Sequence, residues 1–118
     1  MGDGFMALFD SATGAIDSAI ALQKSLAAHN ETASQSIIVR IGINAGEPIV
    51  EEGDLHGTAV IVAARVSARA EGGEILTTDV VRQLVAGKGY LFADRGVEAL
   101  KGFDEPVRLY SVRWSVGD

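Results

Sequence analysis

The residue types that most often carry chemistry are sparse in this chain of 118 residues. It contains no cysteine, which excludes disulfides, thiol catalysis and cysteine-based zinc sites. Its two histidines, His29 and His56, lie too far apart for a local HxxxH zinc motif. The common catalytic and metal-binding signatures based on sulfur or on a histidine pair are therefore ruled out.

The familiar phosphate and hydrolase motifs are also missing. No G-x-x-x-x-G-K-S/T loop occurs, and no G-x-S-x-G elbow occurs. Gly87-Lys88-Gly89 begins a G-x-G-x-x-G pattern, but Phe92 stands where the third glycine belongs. Any active site in this chain has to come from a less generic arrangement.

The composition predicts one folded domain over residues 1–118. The chain is 47% hydrophobic and 22% charged, with a net charge of −6, which disfavours sequence-independent nucleic-acid binding. No apolar run approaches the ~20 residues that span a bilayer, and residues 1–10 are too short and acidic for a signal peptide. We expect a soluble cytoplasmic protein, with no nucleic-acid partner and no membrane contact from this segment.

The hydrophobic periodicity predicts an α+β fold with a mostly antiparallel sheet covered by helices. Residues 37–43 alternate apolar side chains and can form a hairpin with residues 47–51, before a turn at 52–54. The helix at 57–70 is rich in small residues, which permit close packing. The order is β-α-β-β-α-β-α-β-β, with strands at 4–10, 37–43, 47–51, 74–77, 90–93 and 107–114 and helices at 11–29, 57–70 and 79–86.

Four spaced segments together carry a family resemblance. They read GDGFMALF at 2–9, VRIGINAG at 39–46, GDLHGTAVIVAAR at 53–65 and LKGFDEPV at 100–107. In this order the set resembles the catalytic domain of class III adenylyl and guanylyl cyclases, in its bacterial form. The resemblance implies a ferredoxin-like nucleotide cyclase fold over the whole chain.

The resemblance also implies a reaction. In the family, the ribose 3′-OH of a nucleoside triphosphate attacks the α-phosphate and expels pyrophosphate. Two Mg²⁺ or Mn²⁺ ions, held by aspartates, activate the hydroxyl and hold the phosphates. The sites form across a head-to-tail dimer, so ATP or GTP is the implied ligand and a homodimer the implied assembly.

Two aspartates match family positions. Asp3 matches the second metal-binding aspartate, whereas the first belongs to a strand that would precede this chain. Asp54 matches the position that helps to select the purine, where a carboxylate can accept a hydrogen bond from the adenine amino group. The alternatives are a solvated terminal aspartate for Asp3 and an ordinary turn residue for Asp54.

Three further residues complete the implied site. Arg65 matches the arginine that stabilises charge on the transferring phosphoryl group, since its planar fork fits phosphate oxygens. Ile61, four residues earlier on the same helix face, replaces the asparagine that orients the ribose. Lys101 lies where the family can place a phosphate-binding lysine. Without the resemblance, Arg65 is a surface arginine and Lys101 a solvated turn lysine.

The family places a β-α-α-β unit before the position of Asp3, so the chain resembles a cyclase domain that begins part-way through. We therefore expect it to be inactive alone and to form a homodimer, with strand exchange as one form of pairing. The alternative is a non-catalytic dimerisation or regulatory module with the cyclase fold. An unrelated ferredoxin-like binding module is the third hypothesis.

Overall fold

The computed structural model describes residues 7, 9–46, 49–51, 54–101 and 105–115, with only the backbone described for 49–51 and 54–56. Helices and strands are mixed along these residues, with three strands between the first two helices. In chain order the elements are α1 (Ala12–Thr32), β1 (Ile41–Ile43), β2 (Ile49–Glu51), β3 (Asp54–His56), α2 (Thr58–Arg69), β4 (Ile75–Thr78), α3 (Asp79–Leu84), β5 (Phe92–Glu98) and β6 (Val107–Val112). In the described part of the chain, no helix is long and apolar enough to cross a membrane.

The strands form a four-stranded sheet and a separate two-stranded one. The larger sheet has the order β1-β4-β6-β5. Strand β1 runs parallel to β4, while β4 with β6 and β6 with β5 are antiparallel. Strands β2 and β3 pair antiparallel with each other. The predicted α+β class with a mostly antiparallel sheet is confirmed.

The larger sheet is packed on both faces. Successive residues of a strand point to opposite faces, and on β4 Ile75 and Leu76 are both fully buried in different clusters. Ile75 packs with residues of α1 and α3, such as Ile16 and Val81. Leu76 packs with Val66 of α2. Helices α1 and α3 therefore cover one face of the sheet, and α2 covers the other.

Helix α2 lies very close to β1 because Gly42 has no side chain. A Cβ atom at Gly42 would stand 2.7 Å from the carbonyl oxygen of Ala63 and would also collide with the backbone of Ser67. The small residues of α2 thus permit the close approach that the sequence predicts. This contact fixes the height of α2 above the sheet.

The predicted hairpin between residues 37–43 and 47–51 is wrong. Strand β2 pairs with β3 instead, with Glu51 opposite Asp54, so Asp54 begins a strand rather than lying in a turn. Residues 37–40 stay outside β1, and Ile37 is 48% exposed. The Asn30 side chain holds Ile37, because it bonds both the amide and the carbonyl of Ile37 at 2.8 and 2.9 Å. The Val39 carbonyl accepts a hydrogen bond from the Gly73 amide at 2.8 Å, which turns this segment toward β4 and away from β2.

Other elements differ in their ends. Helix α1 runs to Thr32 and begins after Ser11, whose hydroxyl accepts a hydrogen bond from the Gly14 amide at 3.0 Å as a cap. Strand β5 extends to Glu98 through a bulge at Gly96, which has a φ of 91°. Of the predicted strand at 4–10, the structure describes only residues 7, 9 and 10, and none of them lies in a strand.

Candidate functional site

Helix α2 carries two of the predicted site residues on one face. Ile61 and Arg65 are four residues apart, which places them on successive turns. Ile61 is 47% exposed and belongs to neither buried cluster. Its apolar side chain therefore faces outward, where core packing does not account for it.

Arg65 contacts the turn that carries Lys101. Its Nε donates a hydrogen bond to the Lys101 carbonyl oxygen at 3.2 Å. The two residues are 36 positions apart in the chain, so only the tertiary fold brings them together. The Lys101 side chain is exposed, and Arg65 is half-buried. The Arg65 guanidinium thus lies against the backbone of a residue whose exposed side chain carries a second positive charge, where α2 passes the turn after β5.

Leu100 anchors this turn in the core. Its side chain is 3% exposed and packs in the cluster with Val66, Ala70 and Leu109. The next residue, Lys101, is exposed. Burial of Leu100 therefore anchors the turn that carries the candidate phosphate-binding lysine.

Asn44 joins three elements near α2, although no role was predicted for it from the sequence. Its Nδ2 donates to the Ala59 carbonyl at 3.2 Å, and its Oδ1 accepts a hydrogen bond from the Thr78 hydroxyl at 2.7 Å. These bonds join the end of β1, the first turn of α2 and the end of β4. The sequence feature that could have predicted its importance is a polar residue directly after the apolar strand β1. Thr78 directly precedes α3, where a threonine commonly caps a helix, but its hydroxyl bonds Asn44 and makes no cap bond.

The other two candidate residues, Asp54 and Asp3, do not lie on α2. The backbone of Asp54 lies at the start of β3, the strand that leads through Gly57 into α2. Gly57 has a φ of 117°, a conformation that favours glycine. Asp3 lies outside the described residues. Asp54 therefore lies on the strand that directly precedes the helix carrying Arg65.

The described residues offer no complete metal site. Among them, no three histidine, aspartate or glutamate side chains cluster closely enough to hold a metal ion. The described part of this edge can bind an anion through the positive charges of Arg65 and Lys101.

Two acids among the described residues have a lowered pKa, namely Glu74 and Asp79. Glu74 directly precedes β4. Burial raises its pKa, but hydrogen bonds from Arg95 and from the Glu71 amide outweigh that effect and lower the pKa below its ordinary value. The Arg95 Nε lies 2.6 Å from Glu74 Oε2. This is a structural ion pair, because the two opposite charges are bonded to each other.

A shallow cleft of about 440 Å³ lies near α3 and is lined by Arg82, Tyr90, Phe92, Asp94 and Tyr110, with Val85, Ala86 and Gly87. Its charged groups already have partners. Arg82 pairs with Asp79 at 2.8 Å, and Asp94 pairs with Arg108 at 2.7 Å. The hydroxyl of Tyr90 donates to Asp17, which raises the pKa of Tyr90 to about 12. The Arg65 edge is the better candidate for an anionic ligand.

Comparison with known proteins identifies the family. The family of adenylate and guanylate cyclase catalytic domains matches residues 1–113. The protein named Putative adenylate cyclase 3 from Rhizobium meliloti is 37% identical over 120 residues, which cover 99% of this chain and 20% of that protein.

Solved structures agree with the sequence match. The adenylate/guanylate cyclase/hydrolase of Silicibacter pomeroyi has a TM-score of 0.79 at 34% identity, covering 88% of this chain and 63% of that one. The adenylyl cyclase CyaB of P. aeruginosa has a TM-score of 0.73 at 27% identity, covering 91% and 61%. The chain thus spans a fifth of the curated relative and about three fifths of these crystal structures.

Proposed function

Because the chain belongs to the family of adenylate and guanylate cyclase catalytic domains, we propose that it supplies the phosphate-binding edge of a nucleotide cyclase. The reaction is conversion of ATP to 3′,5′-cyclic AMP and pyrophosphate, with GTP as the alternative substrate. The observation that carries the proposal is the Arg65 guanidinium bonded to the turn of Lys101. A triphosphate carries enough negative charge to bind both cations at once.

Arg65 and Lys101 have distinct proposed roles. When the 3′-oxygen attacks the α-phosphorus and the bond to pyrophosphate breaks, negative charge shifts onto the leaving oxygens. The Arg65 guanidinium would bind the phosphoryl oxygens, since its planar fork matches them, and Lys101 would bind pyrophosphate as a point charge. Such preorganised charges act most strongly where charge develops in the transition state.

Asp54 and Ile61 are the residues proposed to lie at the adenine and the ribose of the nucleotide. Asp54 is the proposed acceptor for the adenine amino group, which favours ATP over GTP. Ile61 stands at the proposed ribose position, and its exposed aliphatic side chain offers no hydrogen bond. Asp3 is the proposed ligand of a Mg²⁺ or Mn²⁺ ion, and Mn²⁺ is therefore included in each binding test.

A non-catalytic dimerisation or regulatory module is the second candidate. The exposed Ile61 favours it, because an apolar residue at that position removes the ribose contact while adding apolar surface. We propose a homodimer in either case. Strand β1 is the end strand of the described four-stranded sheet, and Ile38, just before it, is 66% exposed. Such edges and apolar surface favour pairing with another chain.

Light scattering tests the homodimer. At micromolar protein concentration we expect the mass of two chains. A mass of one chain that stays constant as the sample is concentrated would rule the dimer out.

Turnover and binding assays separate the two candidate functions. We expect no cyclic nucleotide from this chain alone with Mn²⁺ and ATP or GTP, but measurable Mn²⁺-dependent binding of ATP. Cyclic nucleotide above a protein-free blank would contradict the predicted inactivity. Absence of any nucleotide binding, with or without Mn²⁺, would contradict the cyclase role and favour the regulatory module.

A further inference from the structure

A second arginine on α2 contacts the same turn as Arg65. Arg69 follows one helical turn later on the same face. Its Nη2 donates to the Ala99 carbonyl at 2.8 Å, and its Nη1 lies 3.6 Å from a carboxylate oxygen of Glu98. Sequence analysis assigned no role to Arg69.

Residues 98–101 are thereby held at three successive points. Arg69 bonds the Ala99 carbonyl, the Leu100 side chain is buried in the core, and Arg65 bonds the Lys101 carbonyl. A short segment fixed at both carbonyls and at the side chain between them has little freedom to rotate. The starting point of the Lys101 side chain is therefore fixed relative to Arg65.

Stability alone does not account for Arg69. Its side chain is 47% exposed, and the ion pair with Glu98 is long at 3.6 Å. Exposed ion pairs of this kind contribute little to the free energy of unfolding. The effect of the contact is local, since it decides where the backbone of the turn lies against α2.

We propose that Arg69 is a positioning residue that holds residues 98–101 so that Lys101 and Arg65 engage one polyphosphate. This rests on the proposed binding of a nucleoside triphosphate at the Arg65 edge. Arg69 acts through the Ala99 carbonyl and does not itself touch the nucleotide. Its loss should therefore weaken the part of binding that depends on phosphate and leave the nucleoside part unchanged.

The test compares three variants of the full chain. Arg69→Met removes every donor while keeping an unbranched side chain, and Arg69→Lys restores a charge and a donor. Arg113→Met is the control for lost charge. Arg113 is exposed and follows β6, at the opposite end of that strand from Val107, which pairs with Glu98.

Two measurements are made on each variant. Calorimetric titration with Mn²⁺ gives the affinity for ATP and for adenosine, and amide hydrogen exchange reports on residues 99–101. For Arg69→Met we expect ATP affinity to fall about three- to tenfold, adenosine affinity to stay unchanged and exchange in the turn to accelerate. Arg69→Lys should recover part of the ATP affinity, and Arg113→Met should match the wild type.

The outcomes separate this inference from the proposed function. If the wild type binds ATP and Arg69→Met binds it equally well, the positioning role is overturned while the proposed function stands. Equal losses for ATP and adenosine would also overturn it, because a general structural defect weakens both. If the wild type binds no ATP, the proposed function fails, and the nucleotide role of Arg69 fails with it.

Discussion

Arginines are used in two different ways in this molecule. Arg95 on β5 bonds both carboxylate oxygens of Glu74, the residue before β4, at 2.6 and 3.0 Å. At the edge of α2, Arg65 instead bonds the main-chain carbonyl of Lys101. The first contact cancels a positive charge, whereas the second orients a guanidinium without neutralising it.

That difference separates a structural pair from a candidate binding edge. A carboxylate partner removes the charge that a phosphate ligand would need. A carbonyl partner keeps the charge and adds direction, and this carbonyl belongs to Lys101, whose exposed side chain carries a second positive charge. Among the described residues, the charge of the group that each arginine bonds thus distinguishes the two contacts, because both contacts use the same residue type.

Removing the anchor of the binding edge should have the largest effect on stability. Leu100→Ala leaves a cavity beside Val66 and Leu109, and we expect it to lower the free energy of unfolding by about 2–4 kcal/mol. Urea denaturation followed by circular dichroism measures this. Leu84→Ala is the matched control, because Leu84 is 56% exposed and should change stability by less than about 0.5 kcal/mol. Equal losses in the two variants would show that Leu100 is not anchored as described.

Breaking the structural pair should have the next largest effect. Glu74→Gln leaves Arg95 without its charged partner, and we expect a loss of about 1–2 kcal/mol. Glu31→Gln, at an exposed position near the end of α1, removes the same charge and should change stability by less than about 0.5 kcal/mol. If the two variants were equally stable, the pair would contribute nothing to the fold.

The same pair predicts an acid dependence of stability. The pKa of Glu74 in the folded state lies below its ordinary value of 4.5, so the unfolded chain takes up this proton more readily. The stabilisation is therefore present above pH 4.5 and is lost as the pH falls through the lower folded-state pKa. Thermal unfolding between pH 6 and pH 3 should show a smaller decrease in Tm for Glu74→Gln than for the wild type. Parallel curves would contradict this.

Loss of the binding-edge arginine should affect stability least. Arg65→Met removes one hydrogen bond to a carbonyl and no carboxylate contact among the described residues, so we expect less than about 1 kcal/mol in urea denaturation. A loss larger than that of Glu74→Gln would place Arg65 with the structural arginines instead.

Sequence patterns predicted the parts of this fold that depend on local periodicity. Helices α1 and α2 and strand β4 follow their apolar spacing, and the helical repeat placed Ile61 and Arg65 together. The partner of β2 was not predictable in this way, because β1 pairs with β4 across the chain, and the Val39 carbonyl accepts a hydrogen bond from the Gly73 amide just before β4.

Contacts between distant residues account for the remaining differences. The bond from Arg65 to Lys101 depends on how α2 packs across the sheet, and no local pattern encodes it. The Thr78 hydroxyl is at a helix start, where capping is the common role, yet Asn44 competes for it through the tertiary fold. The family resemblance supplied the candidate site residues, and the fold supplied the carbonyl that orients one of them, Arg65.

Binding of ATP to an Arg65 variant tests the central claim most directly. Calorimetric titrations with Mn²⁺ compare the wild type, Arg65→Met and the exposed control Arg113→Met. If Arg65 binds phosphate, Arg65→Met should weaken ATP binding by about tenfold or more, since hydrogen bonds to charged groups contribute about 1.5–3 kcal/mol. Arg113→Met should remain within about twofold of the wild type. Equal affinities for ATP in all three proteins would contradict a nucleotide site at this edge.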